Sequence, residues 1–242
     1  MSHHRFAGLA IAALSLTTLL ATAAEPTVDL KELPRLKPVE PAAALKTFAI
    51  RPGFKAQLAA HEPLVASPID ICFDENNRMF VVEMIDYSEL RDAKPHLGRI
   101  RVLEDTDGDG VYDKSTVFAG DLPWPTAVFC ANGGVYAAAT PDVFFLKDTD
   151  GDGKADVRQV AFTGFASSYA PYRTNELNMQ AMLNSFHWGL DNRIHGATAP
   201  NGGEVLSPLT PGAKPLNLRG RDFAFDPRTL ELTAEAGGGQ YG

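Results

Sequence analysis

The feature that most constrains this sequence is a strand–turn–strand pattern that occurs three times. In each copy a short apolar strand leads through a tight turn into a second apolar strand, and the copies cover residues 69–83, 126–139 and 185–197. The matched residues Phe73, Cys130 and Trp188 are 57 and 58 residues apart. Asn and Gly are frequent in the turns because they accept the positive φ angles that tight hairpins need. A long repeat of nearly constant period predicts a chain built from similar β-sheet units.

A second hairpin follows within each unit, at residues 100–118, 143–160 and 222–233. Each unit therefore has four short strands in meander order, which is the pattern of a β-propeller blade. The predicted fold class is all-β. Residues 53–242 are expected to form about three four-stranded blades of a β-propeller whose C-terminal blades are missing, because natural propellers have about four to eight. A β-sandwich is the alternative, and residues 54–60 are predicted to form a lone strand before the first blade.

Residues 1–24 have the pattern of a secretory signal peptide. Arg5 supplies positive charge, residues 9–20 are apolar, and small residues from Ala21 onward offer a cleavage site. The apolar run is shorter than the roughly 20 residues of a membrane-spanning helix, and a membrane anchor is the alternative. The proline-rich residues 25–52 are predicted to be a linker. We therefore expect export to the periplasm or the cell surface, with no membrane span beyond the signal peptide.

Charge and cysteine content argue against several kinds of partner. The formal net charge of −8 speaks against nucleic acid, because phosphate binding requires a basic surface. The two cysteines, Cys72 and Cys130, are not part of a CxxC or CxxCH motif, so this stretch predicts neither haem attachment nor a zinc ribbon. After export the two cysteines form a disulfide or remain buried free thiols, and the sequence leaves both open.

Two acidic segments, DTDGDGVYD at 105–113 and DTDGDGKAD at 148–156, resemble calcium-binding loops. Aspartate occupies positions 1, 3, 5 and 9, glycine occupies position 6, and the carbonyl of position 7 offers another oxygen. The predicted calcium ligands are Asp105, Asp107, Asp109, Val111, Asp113, Asp148, Asp150, Asp152, Lys154 and Asp156. Position 12 is Thr116 or Gln159 and the flanks are strands, so we expect structural sites rather than EF-hand sensors. The alternative is an Asp-rich turn that binds no metal.

In a four-strand meander, the loops opposite the tight turns form a second face of the fold. This face receives the longer loops of the sequence, and long loops on a rigid scaffold often carry function. Candidate residues for binding a sugar or a flat cofactor are Tyr87, Arg91, Tyr172, Asn175 and Gln180. The candidate catalytic residues are Arg173 and His187, the latter as a general base facing the channel. The alternatives are solvated loops and a histidine that packs in the core.

Several motifs together resemble one protein family. They are GFKAQLAAHEP (53–63), LEDTDGDG, LKDTDGDG, NSFHWGLDNRIHGA (184–197), GRDFAFDPRT (220–229) and GGGQYG. Through them residues 40–242 are similar to the membrane-bound dehydrogenase propeller family of planctomycetes and verrucomicrobia (PVC-type). That family is distantly similar to quinoprotein glucose and sorbosone dehydrogenases.

The resemblance implies an exported dehydrogenase that oxidises a sugar or an alcohol with pyrroloquinoline quinone. Electrons would pass to a c-type cytochrome, in a domain downstream or in trans, and further blades would follow Gly242. The soluble glucose dehydrogenases carry a catalytic histidine shortly before the motif that matches His187–Gly189, and Ala181 stands at that position here. The alternative function is therefore a non-catalytic, calcium-stabilised propeller that binds glycans or proteins.

Overall fold

The computed structural model describes residues 37–87, 90, 94–167 and 179–240. The chain divides into two compact units, Met1–Glu40 and Pro41–Gly242, and the second contains every described helix and strand. Within the described ranges the helices are α1 (Pro41–Ala44) and a short 3-10 turn (Leu45–Thr47). None of the described helices is long and apolar enough to cross a bilayer. The predicted signal peptide lies outside the described residues.

The rest of the second unit is built from short β-strands. In chain order they are β1 (Pro68–Phe73), β2 (Met79–Glu83), β3 (Gly98–Glu104), β4 (Lys114–Leu122), β5 (Ala127–Ala131), β6 (Gly134–Ala139), β7 (Asp142–Lys147), β8 (Val157–Phe165), β9 (Asn184–Trp188), β10 (Ile194–Ala197), β11 (Gly203–Leu206), β12 (Leu216–Asn217), β13 (Asp222–Phe225) and β14 (Leu232–Glu235). They form three antiparallel sheets: β1-β2-β3-β4, β5-β6-β7-β8 extended by β11 and β12, and β9-β10-β13-β14. The all-β prediction is confirmed.

The tight turns explain how the repeat specifies these hairpins. Asn77, Asn132 and Asn192 occupy the β1–β2, β5–β6 and β9–β10 turns with φ angles of 61°, 56° and 61°. Asparagine tolerates this left-handed conformation better than most residues with a side chain. The same residue type therefore closes the first hairpin of all three sheets.

The predicted lone strand at 54–60 is wrong, because the structure has no strand there. One backbone hydrogen bond, from Tyr112 N to Ala59 O at 2.8 Å, connects this segment to the first sheet. A single backbone bond does not make a strand ladder. The segment and the residues after it cover Met79, Val81 and Leu103 on one face of the first sheet.

Two further differences concern the third unit. The hairpin of β11 and β12 lies within residues 198–220, which belong to the longer loops expected opposite the tight turns, and it pairs with β8 of the second sheet. Gly203 permits this pairing, because a Cβ there would lie 2.3 Å from the Gly164 carbonyl oxygen. The last strand begins at Leu232 rather than Leu230. Leu230 has a φ of 59° and donates its N–H to Asp226 O, so it belongs to the preceding turn.

The sheets pack face to face, and their first strands lie side by side. β1 lies next to β5 and β5 next to β9. One core, between the first and second sheets, includes Phe80, Val102 and Val135. The other, between the second and third, includes Phe162 and Phe225. Burying each such side chain contributes about 1.5–3 kcal/mol, so these two interfaces dominate the stability of the unit.

The turns between the third and fourth strands of each sheet are here called the seam turns. Each forms hydrogen bonds with a part of the chain that comes before its own sheet in the sequence. The β3–β4 turn bonds to residues 57 and 59, through Gln57 Nε2 to Asp109 O at 3.1 Å and the Tyr112 bond described above. The β7–β8 turn bonds to β4, since Ala155 N donates to Phe118 O at 2.8 Å. The β13–β14 turn bonds to the second sheet through Pro227 O, which accepts the Tyr136 hydroxyl at 2.9 Å.

Candidate functional site

The first acidic loop is the β3–β4 seam turn, and its backbone is organised around Asp105. The Asp105 carboxylate accepts the N–H groups of Gly108 at 2.8 Å, Asp109 at 3.2 Å and Gly110 at 2.8 Å. These bonds, with that of Gly110 the strongest influence, hold the pKa of Asp105 below its ordinary value. Gly110 has a φ of 85°, as expected for the sharp bend at position 6. The loop thus keeps a charged carboxylate at its centre.

The second acidic loop, the β7–β8 seam turn, repeats this arrangement around Asp148. Its carboxylate accepts the N–H groups of Gly151 at 2.7 Å and Gly153 at 2.9 Å, and Gly153 has a φ of 84°. Burial acts to raise the pKa of Asp148, but the N–H groups of Gly153 and Gly151 outweigh it, so the pKa lies below its ordinary value. Two loops with the same sequence pattern therefore have the same local structure.

Each loop brings three carboxylates close enough to share one cation. Their ligand oxygens lie within 4.8 Å of one another, and the groups are Asp105, Asp107 and Asp109 in the first loop and Asp148, Asp150 and Asp156 in the second. An all-oxygen set suits a hard cation such as Ca²⁺, which takes six to eight oxygens at about 2.3–2.6 Å. The remaining ligands would come from carbonyls and water.

The two loops differ in the other predicted ligands. In the first, Asp113 lies outside the group and accepts the Thr106 hydroxyl at 2.6 Å. In the second, Asp152 lies outside the group, and its carboxylate is 3.8 Å from Lys154 Nζ. The predicted carbonyl ligands belong to Val111 and Lys154, whose N–H groups bond to the aspartate at position 5 of each loop. The role of these four residues stays a prediction.

A cavity of about 520 Å³ lies at the opposite end of the sheets, where the first strands begin. It is lined by Ile69, Asp70, Met84, Tyr87, Thr126, Met179, Gln180, Met182, Asn184 and Ser185. Three of these, Ile69, Thr126 and Asn184, stand four residues before Phe73, Cys130 and Trp188, which are the matched positions of the repeat. The cavity is thus formed by the same position of all three units.

The walls of the cavity combine apolar and polar chemistry. Three methionine thioethers and the Tyr87 ring supply apolar surface, and Tyr87 lies 5.8 Å from the buried Trp124 ring. Asp70 supplies a carboxylate whose pKa burial raises, although the N–H groups of Val128 and Ile71 oppose this shift. Amide and hydroxyl groups complete the lining. Polar groups that converge among apolar and aromatic side chains are typical of small-molecule sites.

The structure brings together two of the predicted binding residues, Tyr87 and Gln180, in this cavity. The other predicted binding and catalytic residues Arg91, Tyr172, Arg173 and Asn175 lie outside the described residues. The remaining catalytic candidate, His187, is exposed on β9 and is not part of the cavity wall. Its ring stacks on His195 at 5.4 Å, and His195 Nε2 lies 3.0 Å from Asp191.

Sequence reasoning missed the cavity residues on the first strands. Ile69, Asp70 and Thr126 are predicted as ordinary strand residues, and Asn184 as the last residue of the 164–184 loop. The repeat itself identifies these residues. Equivalent residues in the first strands of the three units lie close together because those strands are neighbours. The alignment of the three units places Ile69, Thr126 and Asn184 at equivalent positions.

The fold and the loops define an all-β protein of antiparallel sheet units with two candidate cation sites. Residues 40–242 match the family described as a domain of unknown function, DUF7133. The match covers most of the chain, and the chain belongs to this family. No curated protein matches it.

Proposed function

We propose that this protein is an exported β-propeller that binds a small polar ligand, a sugar or an alcohol, in the cavity at the start of its first strands. The observation that carries this proposal is the convergence of Ile69, Thr126 and Asn184 on one cavity. Equivalent positions of a repeat meet at one point when the units are arranged around an axis, and this is where propellers have their central channel. The volume falls within the roughly 300–1,000 Å³ of small-molecule sites.

The exposed side of the first sheet supports the propeller arrangement. Asp70 and Cys72 of β1 face the second sheet, whereas Ile69, Ile71 and Phe73 on the other side are about half exposed. Each blade of a propeller packs between two neighbours. An apolar strip on the free side of β1 is what a further blade would cover.

Calcium in the two acidic seam turns is the second part of the proposal. In the third seam turn Arg228 pairs with Asp226 at 2.6 Å and, as the largest influence, lowers the pKa of Asp226 to about 2. Among the described residues no arginine or lysine pairs with Asp105, Asp107 or Asp109 (Lys154 in the second loop reaches only Asp152). A bound cation would supply the positive charge that the arginine provides in the third turn. The two acidic seam turns bond to the segment before the first sheet and to β4 of the first sheet. Bound ions would therefore stabilise the packing of successive units.

Calcium is expected to raise the melting temperature of the full chain relative to EGTA. A ligand that binds only the folded state adds about 2.7 kcal/mol when its concentration is 100 times its dissociation constant. Asp105→Asn and Asp148→Asn keep an oxygen for the loop N–H groups but remove a charge, so each should reduce the calcium-dependent increment. Asp226→Asn, in the third seam turn, is the matched control and should leave the increment unchanged. Melting temperatures that are equal in calcium and EGTA would contradict the proposal.

Ligand binding in the cavity is expected to change the fluorescence of Trp124. The chain has two tryptophans, and Trp188→Phe leaves Trp124, next to Tyr87, as the only reporter. Titration with monosaccharides and short diols should give a saturable change. Gln180→Leu should weaken binding about tenfold, the value of one to two hydrogen bonds. Gln159→Leu on β8, which does not line the cavity, should have no effect, and equal losses for both variants would refute the site.

Quinone-dependent oxidation of the bound sugar or alcohol is the second candidate function. It is favoured by the resemblance to quinoprotein dehydrogenases and by the flat Tyr87 ring on a cavity large enough for a cofactor. Pyrroloquinoline quinone, when bound, would accept the two electrons and two protons that leave the alcohol, and a cytochrome would take the electrons onward. Asp70 and Gln180 would hold and orient polar groups of the ligand. The same titration with the quinone, followed by dye-coupled assays, separates oxidation from binding alone.

A further inference from the structure

The two cysteines meet where the first two sheets come together. Cys72 on β1 and Cys130 on β5 are the whole cysteine content of the chain. The Cys130 N–H donates to Cys72 Sγ at 3.3 Å. Two residues earlier, the Asp70 carboxylate accepts the Val128 N–H at 2.9 Å. Alternate side chains of β1 thus reach the backbone of β5, and this register places the sulfur atoms together.

The contact makes the two thiols chemically unequal. The Cys130 thiol is the main cause that lowers the pKa of Cys72 to about 7, with the Cys130 N–H adding to it and burial opposing it. The Cys72 side chain, followed by burial, raises the pKa of Cys130. Since the thiolate is the nucleophile in thiol–disulfide exchange, Cys72 is the attacking sulfur near neutral pH and Cys130 stays protonated beside it.

We propose that Cys72 and Cys130 are a redox-active thiol pair that closes a disulfide between the first and second sheets. The oxidant is a small disulfide, RSSR. Cys72 thiolate attacks one of its sulfurs, which forms a mixed disulfide and releases RS⁻. Cys130 then loses its proton and attacks Cys72 Sγ, which releases the second RS⁻. Two electrons and two protons pass from the pair to the oxidant, which becomes two RSH.

The disulfide would join two strands that otherwise interact through side chains and a few hydrogen bonds. Both thiols are half-buried. A small disulfide therefore has easier access to Cys72 than a disulfide on another protein does. The pair lies outside the acidic loops and the cavity wall. The thiol chemistry therefore requires neither the proposed ligand nor calcium.

Treatment of the full chain with oxidised glutathione, followed by intact mass spectrometry, tests the pair. The wild type should lose two hydrogen atoms and keep no glutathione, because Cys130 resolves the mixed disulfide. Cys130→Ser should retain one glutathione on Cys72. In the wild type, brief alkylation at pH 7 should modify Cys72 at least about tenfold faster than Cys130, since the protonated thiol is a poor nucleophile.

The pH profile provides a readout that a passive pair of thiols would not give. Alkylation of Cys72 in the wild type, measured on its peptide, should rise with a midpoint near pH 7, and in Cys130→Ser the midpoint should move to higher pH. Stable glutathione adducts on both cysteines of the wild type would overturn the proposal. So would equal alkylation rates of Cys72 and Cys130 in the wild type at pH 7.

Discussion

Glu83→Ala is expected to lower the free energy of unfolding by about 3–5 kcal/mol, the range seen when one partner of a buried ion pair is removed. The Glu83 side chain is fully buried at the end of β2 and contacts the guanidinium groups of Arg99 and Arg101, the latter at 3.2 Å. Its Oε1 also accepts the Ala66 N–H at 2.5 Å. Its loss leaves two partly buried cations and a backbone donor without their acceptor.

Glu104→Ala is the matched control for this change. Glu104 pairs with Lys114 at 2.7 Å on the neighbouring strands, but Lys114 is exposed and Glu104 is partly exposed, so removal should cost about 0–1 kcal/mol. Urea denaturation followed by circular dichroism measures both. If the two variants differ by less than 1 kcal/mol, the buried cluster contributes no more than an exposed pair, contrary to expectation.

Phe225→Ala should lower the free energy of unfolding by about 3–5 kcal/mol, as other large-to-small changes in a core do. The Phe225 ring is fully buried between the second and third sheets. It lies 4.9 Å from the ring of Phe162 and 5.0 Å from that of Tyr136. Truncation removes the aromatic contacts of both sheets at once and leaves a cavity that the rigid strands cannot fill.

Phe54→Ala removes the same atoms from a side chain that is 73% exposed. It should change stability by less than about 0.5 kcal/mol, as substitutions at the surface generally do. Thermal and urea unfolding of both variants give the comparison. A Phe225→Ala variant as stable as Phe54→Ala would mean that the second and third sheets do not share a core.

The strands were predictable because each unit repeats the same local signals. The asparagine in each first turn fixes where that hairpin reverses, and the strands on either side of Asn77 and Asn192 begin or end within one residue of expectation. The acidic loops were predictable for the same reason. Short-range sequence determines the conformation of a tight turn, and the Asp105 and Asp148 carboxylates accept N–H groups from within their own loops.

The features that were missed depend on distant contacts. The β11–β12 hairpin forms because Gly203 approaches the backbone at Gly164. No local sequence pattern predicts this approach. Glu83 resembled an ordinary charged end of a strand, and its burial depends on arginines supplied by β3. The cavity likewise requires three first strands from separate units. Positions of this kind follow from the arrangement of the sheets rather than from the composition of one segment.

The seam turns have a consequence for the order in which the chain acquires its structure. Each described seam turn contacts an element that comes earlier in the sequence: the β7–β8 turn contacts β4, and the β13–β14 turn contacts β6 through Tyr136. A chain that emerges from a ribosome or a translocation pore starting with its N-terminus therefore always presents the docking surface before the turn that needs it. No unit has to wait for a later one to secure its last hairpin, and assembly can proceed in one direction along the chain.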